Sequence, residues 1–105
     1  MPNYDIVFLA PAFAELDEIA DMHLALAGET SAEKITNSIM KLLENLSQNP
    51  FMGMVAKDTA LAQQGFRVLL SGNYICFYKV STDVIEIYHI VDARKDYPNL
   101  LHDLI

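Results

Sequence analysis

The strongest constraint in this sequence is a run of three strand-like segments with no room for a helix between them. Phe66 to Leu70, Tyr74 to Val80 and Val84 to Val91 are rich in β-branched and aromatic residues, and only Ser71-Gly72-Asn73 and Ser81-Thr82-Asp83 separate them. Connections this short join antiparallel neighbours, so the C-terminal half is committed to a β-meander. Everything upstream must pack on that sheet or extend it.

Upstream the period changes. Tyr4 to Leu9 reads as a first strand that stops at Ala10-Pro11, where proline can open a helix. From Pro11 to about Ala27, Phe13, Leu16, Ile19, Ala20 and Leu24 recur at helical spacing, with Glu15, Asp17, Glu18 and Asp21 expected on the solvated side. Gly28 is suited to end this helix. Thr30-Ser31-Ala32-Glu33 has capping-box spacing for a second helix, whose stripe is Ile35, Ile39, Leu42, Leu43 and Leu46 and which stops at Asn49-Pro50. The short link makes the two helices an antiparallel pair. Residues 50 to 65 show no sustained period and read as an irregular connection with room for one short extended piece. A short helix is expected from Pro98 to Ile105.

The expected architecture is therefore α+β: an N-terminal strand, an antiparallel helical hairpin packed on a sheet, and a three-stranded antiparallel meander completing that sheet. With 105 residues, 52% of them hydrophobic, residues 1–105 are expected to form a single domain. If Gly72-Asn73 and Thr82-Asp83 are two-residue turns, Arg67 stands beside Tyr78 and Ile87, Cys76 beside His89, and Lys79 opposite Glu86. One face then carries Phe66, Val68, Leu70, Ile75, Phe77, Tyr88 and Ile90 and is expected to lie under the helices. Arg67, Leu69, Tyr74, Cys76, Tyr78, Ile85, Ile87 and His89 would form the other, open face; a one-residue slip would invert part of this.

Charge narrows the function classes. The net charge of −7 argues against direct binding of free DNA or RNA, which normally draws on a surplus of Lys and Arg. Contact with a polyanion would need a few cations gathered at one place. Cys76 is the only cysteine, so no intramolecular disulfide and no Cys-rich zinc framework can form. His23 and His102 have no second ligand at metal spacing, so no metal and no cofactor is expected. The uncharged run from Ile6 to Ala14 is short and holds Pro11, which fits neither a signal peptide nor a membrane span, and the expected compartment is the cytoplasm.

The element order, the opening YDIVFLAPAFAELDEIA, the stretch GFRVLLSGNYICFYKV (65 to 80) and the ending VIEIYHIVDARKDYPNLL (84 to 101) together resemble the RelE/ParE superfamily of toxins from type II toxin–antitoxin modules. The most specific parts are Gly65-Phe66-Arg67, Asn73-Tyr74, and Arg94 followed by Asp96-Tyr97. The resemblance implies a small growth-arresting toxin neutralised by a cognate antitoxin. RelE-like members act at the ribosome and cleave mRNA; ParE-like members share the fold and poison DNA gyrase.

In the ribonuclease branch a ribose 2′-hydroxyl attacks the adjacent phosphate, and the site must stabilise extra negative charge while moving protons. The resemblance puts Arg67 and Arg94 where the family places phosphate-gripping arginines, Lys57 in a basic loop, and Tyr97 where a tyrosine can contact substrate. His89, the only histidine in the meander, is a candidate proton shuttle. Each has a plainer reading: an ion pair for the arginines, a solvated loop lysine, a tyrosine anchoring the C-terminal helix, a packed histidine. Ribosome-dependent mRNA cleavage is the expected activity; the alternatives are a non-enzymatic toxin acting on gyrase and a relative that only binds its antitoxin. Asp92 stands where a carboxylate would repel phosphate unless it orients Arg94.

Overall fold

The computed structural model describes residues 3–94. The order is β1 (Asp5–Phe8), α1 (Ala10–Ala27), α2 (Glu29–Gln48), β2 (Met54–Val55), α3 (Thr59–Gln63), β3 (Arg67–Ser71), β4 (Tyr74–Val80) and β5 (Val84–Asp92). The strands form one mixed sheet in the order β1-β5-β4-β3-β2. The meander β3-β4-β5 is antiparallel throughout, and β1 joins its outer edge parallel to β5, with Asp5 opposite Val84 and Phe8 opposite Ile87. The α+β architecture expected from the sequence is thus the one observed. The expected helix from Pro98 lies outside the described residues.

Local chemistry accounts for the turns. Gly72 takes φ +57°, the left-handed value that a tight hairpin turn requires at its first central position. Gly28, at φ +88°, closes α1 through its N–H to the Leu24 carbonyl and, with its own carbonyl, accepts the N–H of Ala32 in α2. Because this one glycine serves both helices, α2 begins at Glu29 and the Thr30–Glu33 capping box does not form; no side chain caps that end.

The connection from 50 to 65 is more ordered than its sequence suggests. Met54 and Val55 pair with Val68 and Arg67 as an edge strand, the short extended piece anticipated there. The turn of helix α3 was not anticipated, although Asp58 is its cap: its carboxylate accepts the N–H of Leu61 at 3.1 Å.

The register expected for Arg67–Tyr78, Tyr78–Ile87 and Lys79–Glu86 holds. A bulge at Phe77/Tyr78 breaks it further along, so His89 faces Phe77, and Cys76 pairs with Ile90 rather than with His89.

The face assignment is reversed. The helices cover Leu69, Tyr74, Cys76, Tyr78, Ile85 and Ile87, which join Ala12, Ile19, Ile39, Leu43 and Leu46 in the main core, and the bulge brings Ile90 in with them. Phe66, Ile75 and Phe77 form a second, smaller core with Ala56 and Leu61. Both faces are apolar, so hydropathy cannot say which one the larger layer covers. Tyrosines are admitted beneath the helices because their hydroxyls find partners there. The stripe of α1 is also displaced: Ala12 and Ile19 are buried and Leu16 partly so, whereas Phe13 and Leu24 are exposed.

Candidate functional site

Arg67 and Tyr78 are direct neighbours across β3 and β4, and both reach the segment that leaves α2. Arg67 Nη2 donates to the carbonyl of Gly53 at 2.6 Å and to that of Phe51 at 3.1 Å, with the guanidinium 5.3 Å from the Phe51 ring centroid. Tyr78, fully buried, donates its hydroxyl proton to the Pro50 carbonyl and accepts the N–H of Gly53, both at 3.1 Å. Gly53 is needed here because a Cβ would run into the Tyr78 hydroxyl and the Val68 carbonyl. The outcome is a fixed edge on which Phe51, Met52, Met54 and Val55 are exposed. Beside it Phe51, Val55, Phe66, Arg67 and Val80 line a recess of about 190 Å³.

Arg94 lies elsewhere. Its Nε and Nη2 grip the two carboxylate oxygens of Asp92 at 2.9 and 2.6 Å, and its backbone N–H also reaches Asp92 Oδ1 at 2.9 Å. These hydrogen bonds and the Asp92 charge hold the guanidinium above its ordinary pKa. Asp92 ends β5 opposite Tyr74, which pairs with Ser71 at the far end of β3 from Arg67. Four residue steps along β3 separate the two rows, roughly 13 Å at about 3.3 Å per residue. The fold does not bring Arg67 and Arg94 together.

The other candidates are also dispersed. Lys57 is exposed between β2 and α3. His89 is 3% exposed, and its Nδ1 lies 3.1 Å from Glu15 Oε1, an oxygen that also accepts the N–H of Ile90 at 3.1 Å. β1 pairs no further than Phe8 with Ile87, and Glu15 stands in for the missing strand. Glu15 is therefore a structural acceptor and not part of the solvated face of α1. Its spacing gave a signal, three residues after Ala12 and four before Ile19, on the buried stripe. Tyr97 lies outside the described residues.

Sequence reasoning left out a polar link at the helical end of the sheet. His23 Nε2 lies 3.1 Å from the Tyr74 hydroxyl and its Nδ1 lies 3.1 Å from Ser31 Oγ, which ties α1, α2 and β4 together. Burial, then the Asp92 charge, raises the Tyr74 pKa, with Arg94 opposing the shift. Among the described residues no cluster of His, Cys, Asp and Glu could hold a metal, and no helix is long and apolar enough to cross a membrane.

The sequence matches the profile of the ParE toxin of the type II toxin–antitoxin system parDE over residues 6–97. The chain belongs to the ParE toxin family. Solved structures share its fold. A structure of the chromosomal ParDE system from P. aeruginosa superposes with a TM-score of 0.74 at 22% identity, over 90% of this chain and 100% of that one. A structure of the RelBE2 toxin–antitoxin complex from Mycobacterium tuberculosis gives 0.65 at 17% identity, over 88% and 93%. A YoeB/ParE toxin from Agrobacterium tumefaciens gives 0.58 at 15%, over 84% and 96%. Among curated proteins no sequence matches. At these identities the superpositions establish a shared fold. In this ParE chain, the arginine that opens the meander is turned onto its own backbone.

Proposed function

We propose that this ParE-family toxin acts by binding a protein target, with DNA gyrase the target that the resemblance implies for ParE-like members. A cognate antitoxin would hold it in check. The observation that carries the reading is the placement of Arg67, whose guanidinium holds the Phe51 and Gly53 carbonyls and so builds a rigid apolar edge. A phosphate gripped there would compete with the two backbone carbonyls that Nη2 already holds. A rigid edge bearing Phe51, Met52, Met54 and Val55 suits a protein surface, and a net charge of −7 is no obstacle to such a partner. The antitoxin reading is supported by the structures of ParDE and RelBE2 systems, and by the exposed Phe13, Met22, Leu24 and Leu26 of α1. Asp17, Glu18 and Asp21 on the same helix would favour a segment that is apolar in the middle and basic at its rim.

Ribosome-dependent mRNA cleavage is the second reading, favoured by two exposed cations, Arg94 and Lys57. In it the residues that the resemblance names, Arg67, Arg94, Lys57, Tyr97 and His89, would act on a substrate that the ribosome presents, although Arg67 and Arg94 stand at opposite ends of the meander. Two assays on the same preparation separate the readings. The purified toxin should inhibit gyrase supercoiling and leave messenger intact by primer extension in a translation reaction. Codon-dependent cuts with unimpaired supercoiling would reverse the order.

A further inference from the structure

We infer that Asp92 is a specificity determinant: by occupying the guanidinium fork of Arg94 it turns this exposed arginine, in the turn just past β5, away from phosphate and toward neutral acceptors on a protein surface. The geometry is that of a carboxylate–guanidinium fork, with Nε and Nη2 each on its own carboxylate oxygen at 2.9 and 2.6 Å. This is the edge of arginine that grips phosphate oxygens two at a time. The backbone N–H of Arg94 on Asp92 Oδ1, at 2.9 Å, fixes the turn that keeps the two side chains in register, so the pair does not depend on a chance meeting of mobile chains.

Exposure is divided unequally between the partners. The Arg94 side chain is 68% accessible and Asp92 only 15%, so a visitor meets the guanidinium while its counter-charge sits behind it. A polyanion would have to displace an internal carboxylate at fixed short range, and it would approach a pair whose charges cancel on an acidic chain. A protein partner needs no displacement. The remaining N–H donors and the flat face of the guanidinium can meet a backbone carbonyl or an aromatic ring, which is how arginine commonly anchors protein interfaces.

This deepens the protein-binding reading, but its test measures anion affinity alone and can fail while that reading stands. Fluorescence anisotropy would follow a labelled single-stranded RNA of about twelve nucleotides titrated with wild type, Asp92→Asn, Asp92→Asn/Arg94→Ala, and Asp17→Asn as a control for net charge. Asp92→Asn keeps an acceptor for the turn while freeing the cation. It should bind the RNA about tenfold more tightly at low salt, with a salt dependence steeper by about one counterion. The double variant and Asp17→Asn should stay near wild type. Asp92→Ser, which keeps a hydroxyl for the turn, should rank with Asp92→Asn and covers a failure of the first variant to fold. Equal gains in Asp17→Asn, or a gain that survives the loss of Arg94, would assign the effect to the global field and overturn the inference.

Discussion

Arg67 and Tyr78, directly opposed across β3 and β4, hold a single backbone segment from two sides: the guanidinium takes the Phe51 and Gly53 carbonyls, and the phenol takes the Pro50 carbonyl and the Gly53 N–H. The arrangement gives the edge strand β2 its shape. It also explains why an arginine at the mouth of the meander is bonded to its own chain.

The clamp should respond to small changes. Tyr78→Phe removes one hydroxyl and leaves the buried Gly53 N–H without its acceptor, at a cost of about 1–3 kcal/mol in urea denaturation. Gly53→Ala should be at least as damaging, because the new methyl meets the Tyr78 hydroxyl and the Val68 carbonyl. A fully stable Gly53→Ala protein would mean that the segment is not held as described.

Glu15 should be a stability residue despite lying on a helix rich in acids. Glu15→Ala leaves His89 Nδ1 and the Ile90 N–H without their acceptor and should cost about 2 kcal/mol. Glu15→Gln, which keeps an Oε1 acceptor for both but loses the charge, should recover part of that. Amide exchange at Ile90 is the site-specific readout, accelerated in the alanine variant and close to wild type in the glutamine one.

Cys76 should be silent in the native state. It is fully buried, and burial pushes its thiol up to about 12. Iodoacetamide at pH 8 should modify it only as fast as the protein opens, with full reaction in denaturant. The raised folded-state pKa also fixes a sign: the unfolded chain releases this proton near 9 while the folded chain keeps it. Stability from this group is therefore complete below about pH 9 and declines as pH rises toward 12, by at most about 1.4 kcal/mol per pH unit.

Arg94 should separate activity from folding. Its side chain is exposed, so Arg94→Ala should leave the urea midpoint essentially unchanged while weakening inhibition of the target about tenfold, as expected for an interfacial arginine. Dose–response curves for supercoiling beside a denaturation curve would check this. A folded Arg94→Ala protein of undiminished potency would remove Arg94 from the interface.

The amino-acid sequence alone determined the element types, the antiparallel meander and most of its register, because alternation, helical period and turn chemistry act over a few residues. The pairing of Arg67 with Tyr78 followed from the length of one turn, Gly72-Asn73. Helix α3 was within reach through Asp58, and the burial of Glu15 through its place between Ala12 and Ile19. Three decisions needed the tertiary structure. Both faces of the sheet are apolar, so only the packing of the helical pair decides that it covers the Cys76–Tyr78–Ile87 face. The bulge that separates Cys76 from His89 lies beside the contacts of Glu15 with His89 and the Ile90 N–H, and Glu15 is 74 residues away in sequence from His89. The two arginines that read as one site stand at opposite ends of the sheet, because one lies before the meander and the other after it. An odd number of antiparallel strands starts at one end of the sheet and finishes at the other.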